Sequence, residues 1–258
     1  MMQAADHATR RSLEVLLSPA ELPALAARDL SETVCVVFDV LRATSTMVTA
    51  LAHGAESIVP VAEIAEAVAL RRERPEVLLA GERDGVRIRG ALSGGVEFDL
   101  GNSPREMTAQ AVGGRTLVMT TTNGTRALRA CRGARHVLAG SFLNLAATAD
   151  WLRARRPARL VLVCSGTHED PALEDVLAAG ALSAAMLPAL ADARLSDGAQ
   201  IALHVFRAYE PELSAAAQHS RNGRRLLALP ELRDDVGLCF RRDVFDRVAE
   251  MHADGAVR

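Results

Sequence analysis

Residues 39–46, DVLRATST, close an apolar run with a carboxylate and follow it with Arg42 and three hydroxyl side chains, Thr44, Ser45 and Thr46. A carboxylate at a strand end can hold a divalent cation, while an arginine and a turn rich in capping residues hold an oxyanion. An Asp39–Arg42 ion pair that only staples the turn would explain the same letters, but mixed charge repeated at several strand ends is costly without a use. Residues 120–125, TTTNGT, likewise leave a strand-like run and open a helix-like one. Backbone N–H groups and hydroxyls from Thr121, Thr122, Asn123, Gly124 and Thr125 can therefore converge on an anion. Threonine-rich loops of this kind also serve as ordinary helix caps. In residues 99–106, DLGNSPRE, the order Ser103, Pro104, Glu106 reads as a capping box. That leaves Asp99 and Asn102 unexplained, as it does Glu82 and Arg83 at another strand end.

A fourth cluster, Glu169, Asp170, Glu174 and Asp175, surrounds a helix start. The helix dipole alone favours acids in a first turn, so some of these four are ordinary. Glu174 and Asp175 point about 100° apart on a helix, so only one can face a site squarely. Asp234-Asp235 adds a late candidate carboxylate. Magnesium takes a few hard oxygens and keeps several waters, so two or three carboxylates from separate loops suffice for it. The histidines lack metal-ligand spacing and His168 reads as a surface loop residue, which argues against zinc. The four cysteines form no C-x-x-C pair and read as buried free thiols.

These loops need a scaffold that brings strand ends together. Short β-rich runs alternate with segments of helical period, the pattern of a mostly parallel sheet covered on both faces, so the expected class is α/β. Strands are expected at 33–40, 57–60, 77–80, 116–120, 136–139, 160–164 and 200–206. Helices are expected at 44–53, 64–73, 104–111, 125–131, 144–155, 171–190, 211–218 and 242–252. In an open α/β sheet, ligands bind beyond the carboxyl ends of the strands, where the four loops would gather. Residues 1–29 read as an N-terminal lead-in and 30–258 as one domain, at most bilobed.

With 30 basic residues, all arginine, against 32 acidic ones, the 258-residue chain has no single-sign field suited to a phosphate backbone or an anionic membrane. Nucleic acid and membrane are not expected as partners, and the absence of lysine removes Walker-type and Schiff-base chemistry. The apolar window 176–191 is interrupted by Gly180, Ser183 and Pro188 and reads as a buried helix. No secretory signal pattern is visible at the N-terminus, so the expected location is the cytoplasm. A D-x-D phosphatase motif fails at Leu41, no cysteine has an arginine six positions on, and no R-H-G occurs.

In the order DVLRATST, GER-G, FDLGNSP, TTTNGT, GSF-x-N and ALEDVLAAG, from about Thr33 to Val248, the chain resembles the 2-phosphosulfolactate phosphatases. The resemblance implies a three-layer α/β/α fold particular to that family, Mg²⁺ as cofactor, a small phosphorylated organic acid as partner, and an association with coenzyme M biosynthesis. Asp39, Arg42, Thr44, Glu82, Arg83, Asn102, Ser103, Thr121, Asn123, Gly124, Thr125, Glu174 and Asp175 fall on its motif positions. Two departures, Ser45 in a run usually all threonine and the RIRGALSGGVE approach to Phe98, bear on substrate identity. The combined reading gives Asp39, Arg42 and Glu174 catalytic roles and takes metal ligands from Asp39, Glu82, Asp99 and Asp175. Phosphate binding falls to Thr44, Asn102, Ser103 and residues 121–125, with Arg83 on the substrate's carboxylate or sulfonate. Assembly into a homo-oligomer is allowed for. The rival from another class is a non-catalytic sensor of a phosphometabolite, which would need the donors and gain nothing from the acids.

Overall fold

A computed structural model describes residues 11–258. The strands are β1 (Ser12–Leu16), β2 (Thr33–Phe38), β3 (Ser57–Pro60), β4 (Leu78–Arg83), β5 (Val86–Arg87), β6 (Thr116–Thr120), β7 (His136–Gly140), β8 (Arg159–Cys164), β9 (Arg194–Leu195) and β10 (Ala249–Met251). The α-helices are α1 (Leu22–Ala26), α2 (Ala43–Ala52), α3 (Ile64–Glu73), α4 (Ala109–Val112), α5 (Gly124–Ala130), α6 (Leu145–Arg155), α7 (Leu173–Met186), α8 (Asp197–Tyr209), α9 (Ala216–His219), α10 (Arg221–Leu227) and α11 (Arg233–Cys239).

The strands form two sheets, a six-stranded one in the order β10-β7-β2-β8-β1-β9 and a four-stranded one in the order β3-β6-β4-β5. All pairings are parallel except β10 on β7 and β5 on β4. The class is thus α/β with helices flanking the sheets, as the alternating pattern requires. Period-2 alternation sorts the side chains of β2: Val34, Val36 and Phe38 join one core with α6, α7 and α8, while Cys35 and Val37 join another. That second core also takes Met47 and Val48 of α2, Ala127 and Leu128 of α5, and Leu117 and Met119 of β6. Helices α2 and α5 therefore sit in a layer shared by both sheets. Val118, Leu79, Ile88 and Phe98 close the far face of the smaller sheet with α3.

Several expectations need correction. Residues 12–16, read as lead-in, form β1 between β8 and β9 in the larger sheet, and residues 1–10 of that lead-in lie outside the described residues. Residues 200–206, expected as a strand, belong to α8; Ala199, Ala202, Leu203 and Phe206 bury one face at helical spacing, and Ser196 caps the start. Residues 242–252, expected as a helix, run irregularly into β10, whose ladder with β7 supplies the hydrogen bonds a helix would have made. The expected helix 104–111 divides into a 3₁₀ turn at Pro104–Glu106 and α4, which Thr108 caps. Its capping box does not form: Ser103 gives the turn no side-chain cap, and Glu106 instead accepts from Gly101 N and Arg87. The apolar run behaves as expected of a core helix, with 67% of Leu173–Leu190 buried inside the protein. All four cysteines are buried and free.

Candidate active site

The carboxyl ends of β2 and β8 in the larger sheet and of β4 and β6 in the smaller one open into the same cleft. Asp39 follows β2 by one residue. Its Oδ1 accepts from Ala43 N at 3.0 Å, and its backbone exchanges hydrogen bonds with Thr44 Oγ1 and N, each 3.0 Å. Thr44 thus pins the strand end and does not line the cleft. Asp175 enters from the first turn of α7, accepting from Val40 N at 2.8 Å and Gly166 N at 3.0 Å, so it ties the β2 and β8 loops together. Beside it, Glu174 is 1% exposed; Asn222 donates to Oε1 at 2.7 Å, and Oε2 has no hydrogen-bond partner among the described residues. Sequence neighbours on a helix diverge, yet both acids line the cleft because Asp175 reaches back to the strand ends while Glu174 leans towards α10.

From the smaller sheet, Glu82 on β4 takes three hydrogen bonds: Thr122 N at 2.8 Å and Thr122 Oγ1 at 2.9 Å on Oε1, and Gly85 N at 2.7 Å on Oε2. Thr122 and Asn123 line the cleft after β6. Asn102, buried, lines it as well, with an unpartnered Oδ1. Burial pushes Asp39 up to about 6, aided by Glu82 and Glu174 and opposed by Ala43 N–H and Arg42. Burial, with Asp39 and Glu174 nearby, raises Asp175 well above the usual carboxylate range.

Arg42 lines the cleft, but its partner is not Asp39. It donates to Asp235 Oδ2 at 2.7 Å and Gly85 O at 2.6 Å, with the two side chains 3% and 0% exposed. Ser103 Oγ donates to the other Asp235 oxygen at 2.7 Å. Of the late acidic pair, Asp235 therefore serves as an anchor for Arg42 while Asp234 faces Arg105 at the surface, and Ser103 acts through that anchor instead of meeting a ligand.

Other expected site residues lie elsewhere. Arg83 points away from Glu82, as adjacent strand residues must, and donates to Glu82 O, Ala62 O and Thr120 Oγ1. Asp99 pairs with Arg71 at the surface and accepts from Leu79 N at 2.7 Å. Thr121 and Thr125 bond each other across the start of α5, the ordinary capping use of that loop. Gly124 packs behind Asp39: a Cβ there would stand 2.7 Å from Asp39 Oδ2 and 2.6 Å from Ala43 Cβ. Lining residues that the sequence motifs do not indicate as ligand contacts include Asp84, Gly85, Thr167, His168, Asn222 and Arg225. The helical pair Asn222 and Arg225, three apart in RNGRRLL, was the available signal.

Among the described residues, five acids, Asp39, Glu82, Asp84, Glu174 and Asp175, line the cleft against two arginines. Such a surface repels a bare polyanion and attracts a cation. Among the described residues no three acidic, histidine or cysteine side chains already converge as a metal-ligand group. Magnesium requires less than that, and hard oxygens without partners at Glu174 and Asn102 are the kind of donors it takes.

A family profile described as 2-phosphosulpholactate phosphatase matches residues 19–254. A protein of Thermotoga petrophila named "Probable 2-phosphosulfolactate phosphatase" is 40% identical over 213 residues, covering 83% of this chain and 86% of its own. Proteins of the same name from Caldanaerobacter subterraneus subsp. tengcongensis and Deinococcus radiodurans are 38% identical over 233 residues (90% and 92% covered) and 46% over 175 (67% and 70%).

Proposed function

The chain belongs to the 2-phosphosulfolactate phosphatase family, and from that premise we propose that it hydrolyses 2-phosphosulfolactate to sulfolactate and phosphate with Mg²⁺ bound in the cleft. The observation that carries this reading is the crowding of buried carboxylates at the strand ends, with Glu174 Oε2 left unpartnered. Glu174 and Asp39 are the first choices to hold the ion, with Asn102 Oδ1 and Glu82 beside them. Asp175 is already committed to two backbone N–H groups and acts as the brace between loops. Bound there, Mg²⁺ would neutralise phosphoryl charge and fix its orientation.

The chain's own groups do the rest of the positioning. Glu82 holds the Thr122 backbone and hydroxyl in place, so Thr122 and Asn123 present a fixed edge to the phosphate side of the cleft. Asp235 and Ser103 hold Arg42 in one orientation, and a guanidinium has donors to spare beyond the two used. Without a cation, Asp39 retains a proton up to about pH 6. Binding of the ion at that carboxylate is then coupled to proton release at lower pH.

The test is phosphate release from a panel of small phosphomonoesters that includes phosphosulfolactate and phospholactate, in Mg²⁺ and in EDTA. Release confined to Mg²⁺ and strongest on the sulfonated ester is expected. Release undiminished in EDTA would remove the metal from the reading, and no release from any ester would favour a phosphometabolite sensor.

A further inference from the structure

A phosphate ester that also carries a carboxylate and a sulfonate has a second negative group away from its phosphate, which a guanidinium suits. Arg83 does not provide it, because it faces the opposite side of β4. Of the two arginines lining the cleft, Arg42 is buried and held by Asp235 and Gly85 O. The other, Arg225, is 48% exposed, and its ion partner Asp84 is 89% exposed at 3.7 Å. It also donates to the backbone carbonyl of Asp84. A solvent-exposed pair of this geometry contributes little to stability, so a bound anion can replace it at small cost.

The helix that carries Arg225 is fixed to the reacting end of the cleft. Ser220 Oγ caps α10 by accepting from Gly223 N at 2.9 Å, and a Cβ at Gly223 would lie 2.1 Å from Ala217 O, so α10 seats directly against α9. Asn222 donates to Glu174 Oε1 at 2.7 Å and Thr167 Oγ1 at 2.8 Å. Asn222, Arg225 and Leu226 stand at i, i+3 and i+4, one face of the helix, and all three line the cleft. One face of α10 thus grips a buried acid at one end and offers a guanidinium one turn further along.

We propose that Arg225 is a specificity-determining residue that receives the substrate's non-phosphate anion, exchanging Asp84 for it. The guanidinium fork suits a carboxylate or a sulfonate, which present two or three coplanar or clustered oxygens. The identity of that anion rests on the phosphatase reading above; the role of Arg225 does not require turnover.

Two measurements on the full chain keep the inferences separate. In calorimetric titration with sulfolactate, R225M should bind about tenfold to a hundredfold more weakly than wild type, the loss expected of a hydrogen bond to a charged group. R225K should lie between them, and D84N should bind at least as tightly as wild type. Equal affinity of R225M and wild type, no binding by wild type, or weakened binding in D84N would overturn the proposal. In the kinetic arm, R225M should lower kcat/KM for phosphosulfolactate at least tenfold more than for 4-nitrophenyl phosphate, which has no second acid; equal losses on both esters would overturn it. Failure of wild type to release phosphate would refute the phosphatase reading, while the titration still decides Arg225.

Discussion

The two sheets meet at one cleft but build their ends of it in opposite ways. The larger sheet contributes Asp39, Glu174 and Asp175, all buried, with one oxygen unpartnered and two of the acids pushed up by burial and mutual repulsion. The smaller sheet contributes Glu82, whose two oxygens accept three hydrogen bonds from the loops it positions. One end crowds acids that burial and mutual repulsion hold back from ionising; at the other, Glu82 is internally satisfied. Natural proteins retain such uncompensated groups where function uses them, and the proposed reading accordingly puts the chemistry at the larger sheet's end and its support at the smaller sheet's end.

The strongest way to break this comparison is D39N. We expect phosphate release to fall at least about a thousandfold, the scale of losing a principal charge-stabilising group. The same variant should be more stable than wild type in EDTA. Asp39 has a folded value of about 6 against 3.8 unfolded, so its share of stability is fully present below about pH 4 and lost as pH rises through 6. Asparagine does not titrate, and the gap between variant and wild type should open across that window to about 3 kcal/mol. Urea unfolding in EDTA at pH 4 and 7 checks this. A destabilised D39N at pH 7 would contradict the picture of an overcharged end.

Next in size is D235A. It strands the buried guanidinium of Arg42, which costs about 3–5 kcal/mol. A loss under about 1 kcal/mol in chemical denaturation would mean that Arg42 turns to water or to the acids of the cleft when released. The smallest effect sharpens the contrast from the satisfied side. E82Q places an amide N–H₂ against donors from Thr122 or Gly85 and should lower stability by about 1–3 kcal/mol. Opposite signs for two isosteric acid-to-amide changes, read by the same unfolding assay in EDTA, are what the comparison demands.

Much of the cleft was legible because its pieces carry local signatures. DVLRATST, TTTNGT and the Glu174-Asp175 pair each sit where a strand gives way to a helix, and all three reach the cleft. Side-chain direction was less legible. Arg83 and Asp99 belong to the right motifs and point the wrong way, since the alternation of β4 sends Glu82 inward and Arg83 outward, and Asp99 is captured by Arg71. Residues 200–206 show the same limit for an element: a short apolar run fits either period until neighbours choose.

By itself the sequence determined the α/β class, the strand–loop–helix units that end in acids and hydroxyls, and the exclusion of lysine-dependent chemistry. Those properties depend on residue types and spacings within one segment. Tertiary structure alone decided that the ten strands of the described residues divide into two sheets, that Asp235 rather than Asp39 takes Arg42, and that α10 brings Asn222 to Glu174 and Arg225 to the same cleft. Each of those pairings joins residues between 48 and 193 positions apart or divides strands between sheets. Packing and desolvation set them, and neither is encoded in any single stretch of chain.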